Sequence, residues 1–226
     1  MDKFKKALKW FFDSFIWLAI LMFVIDVVSK NLVVHFGADI KSAGGKNGGV
    51  DLIPGFLGIN YTINQNIAFG ITLSDPVVNR IVFTIFAILV VGGIITFLSI
   101  KWGKINKFYK ACAMLIIAGG LGNAIDRIFY TPEYLNSIGP DGKLISGVVD
   151  WIDFYGIWQF NFNIADSCVV VAAFMIIIYM IVTEIIEYRK KAKLIEQIED
   201  KNEKVLSKTE QEKNQLIEEG KEKDNE

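Results

Sequence analysis

Residues 148–167 read VVDWIDFYGIWQFNFNIADS, and the meaning of their acids decides how the rest of the chain is understood. Asp166 opens an apolar run, Ile164 to Val182, long enough to cross a bilayer as a helix. A carboxylate at the lip of such a span is costly to place and marks a functional site. Asp150 precedes it across a short loop rich in aromatic residues, so the two acids can meet as a pair that activates water. The same residues admit a plainer reading, in which one acid caps a helix and the other decorates a loop. On either reading the chain enters a membrane here.

The composition agrees. Of 226 residues, 52% are hydrophobic and the mean hydropathy is +0.37, too apolar for an ordinary soluble domain of this size. The net charge of −1 hides a segregation: charges crowd the N-terminus, a short middle loop and residues 187–226. That pattern fits a membrane protein with polar ends and gives no support for nucleic-acid binding. The opening MDKFKKALKW resembles the start of a signal peptide, but no small-residue cleavage site follows its apolar run, which is read as a retained first span. Cys112 and Cys168 both fall inside apolar runs, where they are small buried side chains rather than a disulfide framework. With one histidine, His35, and those two cysteines, no metal site is assembled and no cofactor is expected.

Four apolar segments, about 10–34, 79–100, 108–129 and 164–182, are each long enough to span as a helix. Lys3, Lys5, Lys6 and Lys9 precede the first; Lys101, Lys104, Lys107 and Lys110 separate the second from the third; Arg189, Lys190, Lys191 and Lys193 follow the fourth. The positive-inside rule places these clusters and both termini in the cytoplasm, with residues 35–78 and 130–163 outside. At about 1.5 Å per helical residue, Asp26 lies roughly 26 Å beyond Lys9, Asp126 roughly 24 Å beyond Lys110, and Asp166 roughly 27 Å before Glu184. Three acids from three spans thus reach one level near the outer face, which favours a shared polar site. Asp26 and Lys30, four residues apart, share a helix face and can pair. Asp126 and Arg127 are adjacent, so each needs a partner elsewhere.

The outer loops carry less. Ala43–Gly49 is a Gly-rich excursion, and Leu57, Ile59, Tyr61 and Ile63 alternate as in a half-buried strand. That strand ends at Asn64-Gln65-Asn66, which is either an edge that binds an extended peptide or an ordinary turn. Gly139-Pro140-Asp141-Gly142 is a turn signal. In the third span, Gly119, Gly120, Gly122 and Ala124 allow close helix packing. Asn163 is a good N-cap for the fourth span and puts Asp166 at the third helical position, where the helix dipole favours negative charge. Residues 187–226, mixed Lys and Glu with a weak stripe at Leu194, Ile198, Val205 and Leu206, read as a solvated cytoplasmic tail behind a membrane domain of residues 1–186.

These residues form an ordered set. Asp26-Val-Val-Ser-Lys30 resembles D-x-x-S-K, Asn64-Gln-Asn-Ile-Ala-Phe69 resembles N-x-G-x-A-F, and Gly122-Asn-Ala-Ile-Asp-Arg127 resembles G-N-x-x-D-R. Val148-Val-Asp150 resembles V-V-D, and Phe162-Asn-Ile-Ala-Asp-Ser167 resembles F-N-x-A-D-S. Together, over residues 15–186, they resemble the lipoprotein signal peptidases, the signal peptidase II family of intramembrane aspartyl proteases. The resemblance implies an all-α membrane protein of four transmembrane helices with a small extracytoplasmic β-cradle. It implies Asp150 and Asp166 as the catalytic pair, with Asp26, Lys30, Asn64, Asn123, Asp126, Arg127, Asn163 and Ala165 as supporting or substrate-contacting residues. The implied substrate is a diacylglyceryl-modified prolipoprotein, cut just before the lipid-modified Cys in a bacterial plasma membrane. The expected partners are that substrate and membrane lipid, with no nucleic acid, and the expected working unit is a monomer.

The sequence departs from the pattern at Asn66, where glycine is usual, in the longer segment Thr131–Gly147, and in the charged tail. Two other classes compete. A small transporter passing ions or protons along Asp26, Asp126 and Asp166 calls for polar groups at several depths, whereas these share one. A non-catalytic scaffold working through the tail leaves an intact acid pair without a purpose.

Overall fold

A computed structural model of the protein describes residues 2–45, 48–65, 76–135, 142, 145–155, 157 and 159–223. Asn66, the Ala68-Phe69 end of its motif and the turn at Gly139–Asp141 lie outside those residues. The elements in chain order are α1 (Asp2–Ser14), α2 (Ile16–His35), α3 (Gly37–Ser42), β1 (Val50–Ile53), β2 (Leu57–Asn64), α4 (Pro76–Lys101), α5 (Lys107–Phe129), α6 (Pro132–Leu135), β3 (Val148–Asp153) and α7 (Ile164–Lys223). The chain divides into one unit of residues 1–176 and a second of residues 177–226, which continues α7.

Helices α2, α4, α5 and α7 are long and apolar enough to cross a membrane. The first of these starts later than hydropathy suggests. The apolar run from Trp10 is broken at Phe15, whose φ of 60° lies in the left-handed region that bulky residues avoid. The Ser14 hydroxyl donates to the Phe11 carbonyl at 2.7 Å and accepts the Ile16 N–H at 3.3 Å, ending one helix and starting the next. The span therefore begins at Ile16, and the residue count from Lys9 to Asp26 crosses a break.

Helix α5 is the most enclosed of the four, and its small residues explain how. A Cβ on Gly122 would collide with the Asp26 carboxylate of α2 and press on Ala165 of α7. One on Gly119 would strike the Ala165 carbonyl, and one on Gly120 would meet Val91 of α4. Lipid is as apolar as leucine, so such close approach, rather than hydrophobic burial, holds membrane helices together. Val91, Leu98, Met114 and Ile117 complete the α4–α5 contact, with Phe15, Ile16 and Trp102 packed around them.

The sheet is antiparallel in the order β1-β2-β3, with Thr62 opposite Asp150 and Asn64 opposite Val148. Beyond β3 the chain doubles back: Phe162 and Ile152 exchange backbone hydrogen bonds, and the Trp151 N–H also reaches the Phe162 carbonyl at 2.7 Å. Two residues later α7 begins, so this return delivers Asp150 and Asp166 to one place. Beneath the sheet, Val33, Ile40, Tyr61, Tyr130, Leu135 and Val149 form a small core that ties it to α2 and α3. The Tyr61 hydroxyl donates to the Leu135 carbonyl at 2.7 Å. The fold class is as the sequence indicated: four membrane helices and a small sheet.

Candidate active site

The start of α7 builds one half of the site. Asn163 Oδ1 accepts the Asp166 N–H at 2.8 Å, and an Asp166 Oδ2 to Asn163 N distance of 3.3 Å closes the reciprocal bond. This is a capping box made with aspartate, which satisfies two backbone donors that the helix itself cannot. The other Asp166 oxygen, Oδ1, accepts from the Asn123 amide of α5 at 2.7 Å.

β3 builds the other half. Asp150 is 2% exposed, with Oδ1 accepting from the Asn163 amide at 2.7 Å and Oδ2 from the Asn64 amide at 2.9 Å. Asn64 reaches it from the neighbouring strand, and Thr62 Oγ1 donates to the Asp150 carbonyl at 2.9 Å, so the strand register aims the carboxylate. The Asn163 amide nitrogen also lies 3.1 Å from Asn123 Oδ1. Asp150 and Asp166 are thus joined through Asn163 and Asn123. Burial, joined by the charge of Asp166, pushes the Asp150 carboxyl well above the usual carboxylate range. The amides of Asn64 and Asn163 and the charge of Lys30 pull the other way without cancelling that effect.

Lys30 underlies both acids. Its ammonium is fully buried and makes three contacts: Asp26 Oδ2 at 2.7 Å, Asp126 Oδ2 at 3.0 Å and Asn123 Oδ1 at 3.0 Å. The contact with Asn123 is a hydrogen bond and the two carboxylate contacts are ion pairs. The expected Asp26–Lys30 pair is present, and Asp126 finds in Lys30 the distant partner it needed. Each acid then fixes backbone elsewhere: Asp26 Oδ1 accepts the Ala165 N–H at 2.8 Å, and Asp126 Oδ2 accepts the Val149 N–H at 3.1 Å. Arg127 Nη1 donates to the Asn123 carbonyl at 3.2 Å, within electrostatic reach of Asp166 and Asp150. All ten residues singled out in the sequence therefore fall in one neighbourhood, although Ala165 contributes through its backbone.

One residue was passed over. Arg80, near the start of α4, donates to the Arg127 and Ile128 carbonyls, the latter at 3.0 Å, and lies 3.4 Å from Ser146 Oγ. It satisfies the open carbonyl end of α5 next to the chain that leads into β3. A lone arginine in an otherwise apolar helix was the available signal, the same one that drew attention to Asp166.

The family model described as signal peptidase (SPase) II matches residues 18–182. The chain is 32% identical to a lipoprotein signal peptidase of Coxiella burnetii (strain Dugway 5J108-111), over 80% of this chain and 94% of that protein. It is 29% identical to a lipoprotein signal peptidase of Fusobacterium nucleatum, over 73% of this chain and 84% of that protein. A bacterial membrane enzyme solved by the in meso method at 2.3 Å matches with a TM-score of 0.53 and 28% identity, covering 74% of this chain and 89% of that one.

Proposed function

Because the chain belongs to the signal peptidase II family, we propose that it is a membrane-embedded aspartyl endopeptidase whose acid–base pair is Asp150 and Asp166. The observation that carries this is the placement of a buried carboxylate on a strand and a half-buried one at a helix start, linked through Asn163 and Asn123 above Lys30. Asp166 sits where a helix N-terminus favours negative charge and is the base. Asp150, its proton held by burial, is the acid. Water attacks the scissile carbonyl, giving a proton to Asp166 while Asp150 gives its own to the carbonyl oxygen. The diol then collapses: the C–N bond breaks, the new amine takes the proton from Asp166, and Asp150 recovers a proton from the diol. The substrate is a diacylglyceryl-modified prolipoprotein cut just before the lipid-modified Cys, the lipid remaining in the bilayer while the bond meets the pair.

Purified protein supplied with such a precursor and with its unlipidated form tests this reading. Cleavage is expected at the modified Cys of the first alone; a folded protein that cleaves neither overturns it.

The pair also sets a pH profile. Cleavage rises as the first proton leaves the pair and falls when Asp150 loses the second, so the alkaline limb of kcat/KM lies well above the ordinary carboxylate value of about 4. The same shift couples to stability: the raised Asp150 contributes fully below its unfolded pKa, and that contribution is lost as pH rises through the folded value. Since the Asn64 hydrogen bond favours the ionised acid, Asn64→Ala is expected to move the alkaline limb upward. A downward movement contradicts the assignment.

Both termini are placed in the cytoplasm and the acids near the outer face, from the three basic clusters. Thiol labelling of intact cells is expected to modify Ser42→Cys and to spare Lys204→Cys until the cells are opened. The reverse pattern inverts the topology.

A further inference from the structure

We propose that α1 lies in the membrane surface at the end of the bundle remote from the acid cluster, where it binds anionic phospholipid headgroups. Phe4, Ala7, Leu8 and Phe11 recur at i, i+3, i+4 and i+7, one continuous helical stripe, while Lys5 and Lys9 line one flank and Lys3 and Lys6 the other. Phe4, Leu8 and Phe12 are 72%, 45% and 55% exposed, so the chain's own described residues leave this face largely open.

The position of the helix says what covers it. The left-handed Phe15 separates α1 from α2, which enters the membrane at once, so the last turn of α1 sits at the boundary of the hydrocarbon. Thirteen residues amount to about 20 Å of helix, too short to cross. The helix is also held to the turn between α4 and α5: Asp13 meets Lys107 at 2.6 Å, Trp10 packs against Trp102 at 6.3 Å, and the Lys110 ammonium lies 4.3 Å over the Trp102 ring. A Phe and Leu stripe at that level has acyl chains as its neighbour, and Trp10 and Trp102 sit where headgroups begin.

Charge selects among headgroups. Lys3, Lys5, Lys6 and Lys9 join Lys101, Lys104, Lys107 and Lys110 at this end of the bundle, against Asp2 and Asp13, and Asp13 is engaged by Lys107. Such an excess is drawn to an anionic leaflet over a zwitterionic one.

The test uses the full chain in nanodiscs, spin-labelled singly at Phe4→Cys, Leu8→Cys, Lys5→Cys or Lys9→Cys; Cys112 and Cys168 are buried and stay unlabelled. Positions 4 and 8 are expected to collide more with oxygen than with a water-soluble nickel chelate, and positions 5 and 9 the reverse. Adding phosphatidylglycerol to phosphatidylcholine discs is expected to sharpen that contrast severalfold at low salt, and either high salt or Lys3→Gln with Lys6→Gln to erase the gain. Equal water access at all four positions overturns the proposal. So does a contrast indifferent to phosphatidylglycerol, or shielding of positions 4 and 8 from both reagents, which indicates a second copy of the chain.

Discussion

Asp150→Asn and Asp166→Asn are each expected to reduce single-turnover cleavage of a diacylglyceryl-modified precursor by about 10²–10⁴-fold, the range for losing a positioned acid or base. An amide keeps the volume and much of the hydrogen bonding but cannot cycle a proton. At position 166 a half turn of the Asn123 amide to meet the new NH₂ is opposed, since its oxygen already accepts from Lys30 and faces Asn163. An NH₂ pointed at Asn123 thus leaves a donor short of a partner, costing about 1–3 kcal/mol. Asp153→Asn is the control: it lies three residues on along β3, opposite Gly58 where Asp150 is opposite Thr62, so turnover is expected to be retained. A folded Asp150→Asn protein cleaving at the wild-type rate, beside a folded but inactive Asp153→Asn, reassigns the acid.

Lys30→Met is expected to give the largest loss of stability of any single change, about 3–5 kcal/mol, because it leaves Asp26 and Asp126 buried with no countercharge. Both carboxylates are no more than 1% exposed. Adding Asp26→Asn and Asp126→Asn to Lys30→Met removes the uncompensated charges and should recover most of the loss, though not cleavage, since Asn123 has still lost its anchoring donor. Denaturant titration in detergent, read by intrinsic fluorescence, measures all three proteins. An unchanged midpoint in Lys30→Met shows that the acids are solvated or protonated, and overturns the account of the cluster.

The spans and the gathering of acids were legible because an ionisable residue in an apolar run is expensive and therefore meaningful. That rule picked out Asp26, Asp126 and Asp166, and the same rule applied to Arg80 would have found the clamp on α5. The helix break was hidden. Trp10, Phe11 and Phe12 continue the hydropathy of the first span, and the break depends on a left-handed Phe15 that no side-chain pattern announces. Yet Asp26 still meets Asp126 through Lys30 and reaches the Ala165 backbone, so its convergence with the other acids rests on contacts rather than on the count from Lys9. β2 was legible from its alternation. β3 was not, because Val148, Val149 and Asp150 are all buried and leave no period of two to read. The contact of Asp126 with the Val149 N–H lies beyond local pattern altogether.

The capping box at Asn163 and Asp166 has a practical consequence for capturing a bound precursor. The carboxylate proposed to take a proton is also a fastening of the first turn of α7, so truncation to alanine removes chemistry and anchorage together. Asp166→Asn keeps an oxygen for the Asn163 N–H and so preserves the helix start. Of the two substitutions at this position it is therefore the one suited to freezing an uncleaved complex, whereas the alanine variant presents the peptide with a frayed floor.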